Sequence, residues 1–254
     1  MKLCKILITS DWQVSYEDGR SLKLVEQFAQ DWQPDVVVFN GDLLDCTALG
    51  KYRLTLEERS SLEEEIERLR FYLKEWRASC PQAEMVYVMG NHEQRLQSYI
   101  TDHAPELQFL VEGPLALERL LDIEDMTVVG AYGAAYEWHG VYVTHGVIRT
   151  ENAAMGNLKR EGSSGVSGHT HRLGSAFRRD RSGEHGWFEC GCLCNLDAPG
   201  SPPPTFPGVN NWQQGFVYGY GRHDESAAHS MPVWALNVVP IIQHRFIIEG
   251  KVYE

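Results

Sequence analysis

Three short apolar segments alternate with helix-like segments along the first ninety residues, and this alternation constrains the fold more than any other feature of the chain. The apolar segments are Lys5–Thr9, Asp35–Phe39 and Met85–Met89, with helical patterns at Leu22–Trp32 and Leu54–Trp76 between them. Near-continuous apolar runs such as VVVF are typical of strands that are buried on both faces. The order βαβαβ therefore predicts a parallel sheet covered by helices.

The long second helix carries two candidate N-terminal capping boxes, one at Thr55/Glu58 and one at Ser61/Glu64. Its apolar residues recur at a heptad-like spacing, which is compatible with a dimer seam. A stripe of this kind more often packs against the helix's own domain, and we expect that arrangement here. The stripe consists of Leu62, Ile66, Leu69, Leu73 and Trp76.

The chain changes character in its second half. After Gly90 the helical pattern continues to about Leu121, with breaks expected at Pro105 and Pro114 because proline interrupts a helix. From Met126 onward short strands dominate, and no linker-like stretch separates the two halves. We therefore expect one α/β domain, residues 1–254, with two sheets. The predicted strands are 126–129, 141–144, 165–168, 174–178, 187–193, 215–220, 233–238 and 245–248.

Composition and charge exclude several classes of protein. With 35 acidic and 23 basic residues the net charge is -12, which argues against holding nucleic acid by charge alone. No apolar run approaches the ~18 residues of a membrane span, so we expect no membrane partner. The apolar stretch in MKLCKILITS is too short for a signal peptide, and six scattered cysteines do not form a secreted disulfide pattern. These features predict a cytoplasmic protein.

Metal-binding side chains follow five of the predicted strands. The carboxyl ends of parallel strands meet at one edge of a sheet, so these side chains are expected to converge. Oxygen and nitrogen ligands in this number suit a pair of divalent cations, which needs one bridging carboxylate and a nearby proton donor. Asp42 is the natural bridge and His92 the candidate general acid. The full set is Asp11, Gln13, Asp42, Asn91, His92, His145, His169 and His171.

The ordered motifs D-x-Q, GD, GNHE, HG and GHTH resemble those of the calcineurin-like metallophosphoesterase superfamily. The resemblance implies a four-layer sandwich in which two mixed β-sheets are flanked by helices. It also implies hydrolysis of a phosphoester by a metal-bridging hydroxide, with His92 as general acid. Carried over residue by residue, the first metal is held by Asp11, Gln13, Asp42 and His171. The second metal is held by Asp42, Asn91, His145 and His169.

Gln13 stands where most members of this superfamily have histidine. An amide oxygen is a weaker and harder ligand than an imidazole, so the first site should favour manganese, with iron, zinc, nickel or magnesium as alternatives. The glutamine variant resembles phage and bacterial phosphoesterases. We therefore expect an active enzyme with two divalent metal ions that responds to added manganese.

Two further residues are candidates for the catalytic machinery. Asp45 matches the second aspartate of a GDxxD pattern and either orients His92 or is a solvent-facing loop acid. Arg95 could contact a substrate phosphate through its planar guanidinium, or be an exposed helix residue. Cys46 stands where the protein-phosphatase branch has arginine, which counts against a protein phosphatase.

The substrate predicted from these residues is a small phosphomonoester, a nucleotide or a phosphodiester, and nucleic acid remains a possible substrate. One alternative is a DNA exonuclease or endonuclease of the same fold. Another is a non-catalytic metal-binding module in which Gln13 has weakened the first site. The sequence leaves the oligomeric state open.

Two other features could belong to the site. Cys190, Cys192 and Cys194 alternate, so they are expected to share one face of a strand. Their spacing does not match the C-x2–4-C pattern of structural zinc sites, and we interpret them as buried apolar residues. Trp212 follows a Pro-rich segment and either stacks on a nucleobase or packs within its own loop.

Overall fold

The computed structural model describes residues 3–49, 61–197, 211–222 and 233–254. Within these ranges the larger sheet consists of β1 (Cys4–Thr9), β2 (Val36–Asn40), β3 (Glu84–Val88), β4 (Thr127–Val129), β10 (Gly215–Arg222) and β11 (Val233–Pro240). Its strand order is β11-β10-β1-β2-β3-β4. Strands β1 to β4 run parallel to one another, whereas β10 is antiparallel to both β1 and β11. The predicted parallel sheet is thus one side of a mixed sheet, with the antiparallel strands β10 and β11 beyond β1.

The second sheet consists of β5 (Ala135–Trp138), β6 (Val141–Thr144), β7 (Ser164–Ser167), β8 (Leu173–Asp180) and β9 (Gly183–Cys190), in the order β5-β6-β7-β9-β8. It is also mixed, because β7 is parallel to β6 and β9 while the two outer pairs are antiparallel. A separate hairpin joins β12 (Phe246–Ile248) to β13 (Lys251–Tyr253).

The helices are α1 (Gly19–Trp32), α2 (Leu62–Ser79), α3 (Gln94–His103), α4 (Gln108–Val111), α5 (Leu117–Leu120) and α6 (Ala153–Glu161). The Asp18 side chain caps α1 by accepting from the N–H groups of Arg20 and Ser21. A capping box starts α2, in which Ser61 and Glu64 each accept from the other's backbone N–H. One of the two predicted capping boxes is thereby confirmed.

The two sheets and the helices form four layers. Alternate side chains of the larger sheet, among them Ile6, Ile8 and Val38, pack against Val143 and Val166 of the second sheet. The intervening side chains point the other way, onto α1 and α2, as expected for strands buried on both faces. Helix α6 covers the outer face of the second sheet through Leu158, which packs on Trp187. The predicted sandwich of two mixed sheets flanked by helices is confirmed.

Most predicted elements are present, with small shifts at their ends. Residues 54–60 of the predicted long helix lie outside the described residues, and α2 begins at Leu62. The apolar stripe of α2 packs within its own domain, with Leu69, Leu73 and Trp76 almost fully buried.

Three elements were not predicted, and one strand ends earlier than expected. Strands β5 and β13 have only four and three residues, and α6 contains the poor helix formers Gly156 and Asn157. The strand predicted at 187–193 ends at Cys190, because Gly191 has φ 73° and cannot continue an extended strand. Cys192 and Cys194 are nevertheless buried.

No helix in the described parts of the chain is long and apolar enough to cross a membrane.

Trp76 packs α2 against the loop that follows β1. Its ring packs 5.9 Å from Trp12 and 5.6 Å from Phe39, centroid to centroid. We predict that Trp76→Ala lowers the free energy of unfolding by about 3–5 kcal/mol, since it leaves a cavity in a closely packed core. Phe71→Ala is the matched control, because Phe71 lies on the same helix and is 59% exposed. It should change stability by less than about 0.5 kcal/mol in urea unfolding. Equal losses in both variants would contradict this assignment.

Candidate metal centre

All seven predicted metal ligands lie at one edge of the two sheets. The larger sheet supplies carboxylates and amides: Asp11 and Gln13 follow β1, Asp42 follows β2, and Asn91 follows β3. The smaller sheet supplies the imidazoles, with His145 after β6 and His169 and His171 after β7. Each half of the site is therefore carried by a different sheet.

The backbone at this edge is strained. Positive φ angles are uncommon for residues other than glycine, yet five of the seven predicted ligands adopt them. Strain of this kind persists where the surrounding structure imposes it, and it concentrates at functional sites. The angles are 53° for Asp11, 48° for Gln13, 50° for Asp42, 68° for His169 and 55° for His171.

Glycines allow the loops to approach one another. A Cβ atom at Gly90 would overlap the Asp42 carboxylate, and one at Gly168 would overlap the side chains of Ser10 and Asp11. The glycines of GNHE and GHTH are thus required by close packing around the two aspartates.

The first group of ligands centres on Asp11. His171 Nε2 lies 3.0 Å from Asp11 Oδ1 and 3.1 Å from the Gln13 amide nitrogen. A half-turn of that amide would bring its oxygen to the same position. The other carboxylate oxygen of Asp11 accepts from Ser10 Oγ at 2.6 Å and from the backbone N–H of His169 at 2.9 Å. One oxygen is thus held by the protein, while the other faces His171.

The second group centres on Asp42. The ligating atoms of Asp42, His145 and His169 all lie within 4.8 Å of one another, as in a metal site. His145 Nδ1 donates to the Asn40 carbonyl at 2.8 Å, so Nε2, which faces Asp42 Oδ2 at 3.2 Å, is the nitrogen that could bind a metal once the ring has lost a proton. The Asn91 side-chain oxygen is buried and has no hydrogen-bond partner among the described residues. Such an unpaired buried oxygen fits a cation ligand. The donor set thus fits divalent ions.

Opposite charges balance within the centre. Burial disfavours ionisation of Asp42, but His145 and His92 outweigh it and hold the pKa of Asp42 far below its usual value. Despite their burial, His145 and His171 have pKa values raised to about 10, because the first faces Asp42 and Asp11 and the second faces Asp11. Burial and the neighbouring His145 lower the pKa of His169 to about 4. Two carboxylates therefore face two imidazolium groups, whereas His169 is neutral.

Glu93 joins the loops that follow β2 and β3. Its carboxylate accepts from the backbone N–H groups of Asp42, Leu43, Leu44 and Gly90 at 2.8–3.2 Å, and from Tyr87 Oη at 2.9 Å. No sequence pattern pointed to a role for Glu93, although it is part of GNHE. It is a structural support for the loops that carry Asp42 and Asn91.

His92 lies beside the second group and contacts Asp45. His92 Nδ1 is 3.1 Å from Asp45 Oδ1, and His92 Nε2 is 3.7 Å from Asp42 Oδ2. Burial opposes protonation of His92, but Asp42 and Asp45 together raise its pKa. Of the two interpretations of Asp45, the structure places it in contact with His92 rather than in solvent.

Arg95 is partly buried and contacts both members of this pair. It donates to the Asp45 carbonyl at 2.6 Å and to His92 Nε2 at 2.7 Å. Its guanidinium is therefore hydrogen-bonded to the nitrogen from which His92 would release a proton.

Cys194 and Trp212 contact His171 on the side away from Asp11. Cys194 Sγ lies 3.7 Å from His171 Nδ1, and the Trp212 ring packs 4.0 Å from the imidazole, centroid to centroid. A hydrogen bond from Cys192, together with His171, lowers the pKa of Cys194 to about 6. The cysteines are buried as predicted, but Cys194 is also a polar partner of a candidate ligand. Residues 198–210, which include the Pro-rich segment, lie outside the described residues.

Comparisons with known proteins identify the family and relatives of this chain. Residues 4–173 match the family model described as "Calcineurin-like phosphoesterase". The Gene 54 protein of Mycobacterium phage D29 is 30% identical over 266 residues, which cover 98% of each chain. The corresponding protein of Mycobacterium phage L5 is 27% identical over 98% of each chain. The resemblance inferred from the motifs is confirmed, and both of these relatives are phage proteins.

Solved structures that match this chain share little sequence with it. A Vps29 mutant from Entamoeba histolytica is 12% identical, with a TM-score of 0.41 over 98% of this chain and 95% of that one. The phosphoesterase YfcE from E. coli is 17% identical, with a TM-score of 0.38 over 84% and 87%. A dimetal phosphatase from Danio rerio is 13% identical, with a TM-score of 0.40 over 85% and 92%.

Metal binding at this centre should release protons. At about pH 7.5, His145 and His171 carry protons because their pKa values lie near 10, and an imidazole must be neutral to bind a metal. We predict that saturation with Mn²⁺ releases about two protons per protein. Calorimetric titrations in buffers with different ionisation enthalpies measure this number.

Two variants serve as controls for the proton count. His145→Ala should lower it by about one, whereas His169→Ala should leave it unchanged because His169 is already neutral. A wild-type count near zero would contradict the charge balance described above.

Proposed function

This chain belongs to the calcineurin-like phosphoesterase family, and on that premise we propose that it is a metal-dependent phosphoester hydrolase with His92 as general acid. One observation carries the proposal: candidate ligands from both sheets converge around Asp42, and the imidazole of His92, which contacts Asp45, lies 3.7 Å from the same carboxylate. A cluster of ligands with a positioned proton donor is what a phosphoryl displacement requires.

We propose two divalent ions, with manganese preferred because Gln13 offers an amide oxygen. Asp11, Gln13, Asp42 and His171 would hold the first ion, and Asp42, Asn91, His145 and His169 the second. When bound, the ions would supply an activated water and neutralise the charge of the phosphoryl oxygens. The unpaired oxygen of Asn91 and the free Nε2 lone pair of a deprotonated His145 support this assignment.

The proton for the leaving group would come from His92 Nε2. Its Nδ1–H faces Asp45, so the ring is held with Nε2 toward Asp42. A protonated His92 has no lone pair to accept from Arg95, so the present contact between Arg95 and Nε2 requires neutral His92. When His92 is protonated, the Arg95 guanidinium must turn away. We propose that it then binds an oxygen of the substrate phosphate.

The experiment that tests this function combines metal content with turnover. Protein prepared with Mn²⁺ should contain two ions and hydrolyse p-nitrophenyl phosphate or bis-p-nitrophenyl phosphate. Asp42→Asn should lower turnover at least about 100-fold because it weakens both metal sites. His92→Ala should lower it about 100- to 10,000-fold, through loss of the general acid, with metal content unchanged.

His185→Ala is the matched histidine control. His185 lies in the β8–β9 hairpin, where it contacts Ser182 and Asp180, and its loss should not change turnover. Wild-type protein that binds at most one ion and hydrolyses neither ester would contradict the proposal and favour a non-catalytic metal-binding module.

Asp45 should act through the pKa of His92. Asp45 raises that pKa, and a general acid is lost when the pH exceeds its pKa, so Asp45→Asn should shift the alkaline limb of the kcat/KM profile to lower pH. The rate at the optimum should fall about 10- to 100-fold. Asp102→Asn, on the exposed surface of α3, is the control and should leave the profile unchanged. An unshifted alkaline limb in Asp45→Asn would exclude this role.

A further inference from the structure

Arg149 is a charged side chain at the edge of the metal centre that the mechanism above does not use. It lies in the loop after β6, four residues beyond His145, and its Nε donates to His169 Nε2 at 2.9 Å. A series of contacts leads from His92 through Asp42 and His145 to His169. Arg95 adjoins the first imidazole of this series, and Arg149 adjoins the last.

The Arg149 loop is held in place by other side chains. The Arg172 guanidinium donates to the carbonyl of Thr150 at 2.6 Å and to that of Arg149 at 3.3 Å. The charge of Arg149 opposes the rise in the pKa of Tyr132 that burial causes, and the Tyr132 ring lies 6.1 Å from the rings of both His145 and His169, centroid to centroid. Tyr132 and Arg149 thus form one wall beside the second group of ligands.

The charge of Arg149 is not matched by an acidic partner. Most arginines in the described ranges lie within 4.0 Å of a carboxylate, as in the pairs Arg77–Asp125 and Arg179–Glu184. Arg149 and Arg172 form no such pair among the described residues. In a chain of net charge -12, the exposed guanidinium of Arg149 is available to an anion, and the neighbouring Arg172 adds positive charge.

We infer that Arg149, together with Tyr132, binds a second phosphoryl group of the substrate, adjacent to the one that is hydrolysed. The planar guanidinium and the phenol hydroxyl are donors suited to phosphate oxygens. Arg149 is exposed and contacts His169 rather than Asp42, so it lies one side chain farther out than the proposed ligands. The substrate class is therefore one with two neighbouring phosphoryl groups.

This inference rests on the proposed function, and paired substrates test it. Thymidine 5′-monophosphate and 5′-diphosphate differ by one phosphoryl group, as do the dinucleotide dTpdT and its 5′-phosphorylated form. Arg149→Gln should raise KM for the two-phosphoryl member about 10- to 100-fold and leave the single-phosphoryl member within about threefold. The pair that shows this difference identifies a nucleotide anhydride or an oligonucleotide as the source of the second group.

Two further variants serve as controls for Arg149→Gln. Arg149→Lys should give a smaller loss than Arg149→Gln, because it keeps the charge but not the planar donor pair. Arg179→Gln, in the β8–β9 hairpin, should leave both values of KM unchanged. If Arg149→Gln raises KM equally for both members of each pair, Arg149 contacts the reacting phosphate instead. If it changes KM for neither member, Arg149 does not contact the substrate. Both results overturn the inference.

A binding measurement distinguishes failure of this inference from failure of the proposed function. If the wild type hydrolyses none of these substrates, calorimetric binding still tests the subsite. The probes are thymidine 5′-(α,β-methylene)diphosphate and thymidine 5′-monophosphate, with Mn²⁺-loaded protein. Tighter binding of the diphosphate analogue by the wild type, lost in Arg149→Gln, would support the subsite. Equal binding of the two probes by the wild type would overturn it.

Discussion

The carboxylate of Glu93 holds together the two loops on which the centre depends. It is 4% exposed and is bonded to four backbone N–H groups from those loops and to a tyrosine hydroxyl. A buried carboxylate without such donors would be strongly unfavourable, so the acid and the loops determine one another's position. Asp42, Asn91 and His92 all belong to this assembly. The proposed bridging ligand and proton donor are therefore placed by a residue outside the ligand set.

Much of this arrangement can be predicted from the sequence, because polar residues such as Asp42 and His145 follow apolar runs directly and strand ends meet at a sheet edge. The contacts that support these polar residues cannot be predicted in this way. Glu93 could equally have faced solvent, since its donors are backbone groups that only the folded loops bring together. The alternation of the cysteines predicts a shared face but not that His171 lies opposite Cys194. Gly191 ends β9 early through a backbone angle that an apolar pattern does not reveal.

The charge balance at the candidate metal centre differs from the net charge of the whole chain. The net charge of -12 disfavours the approach of an anionic substrate from a distance, but salt screens such interactions beyond about 8–10 Å. Within the centre, Asp11 and Asp42 are balanced by His145 and His171, while Arg149 and Arg172 add positive charge without acidic partners among the described residues. Under the proposed function, recognition of a phosphate would therefore depend on short-range contacts, which would favour small or locally exposed substrates over long polyanions.

The division of ligands between the sheets has a mechanical consequence. Because the larger sheet carries the carboxylates and amides and the smaller sheet carries the imidazoles, each bound ion would cross-link the two halves of the sandwich. Binding at one hundred times the dissociation constant adds about 2.7 kcal/mol to the free energy of unfolding. Loss of the ions would therefore lower the stability of the folded chain as well as remove its activity.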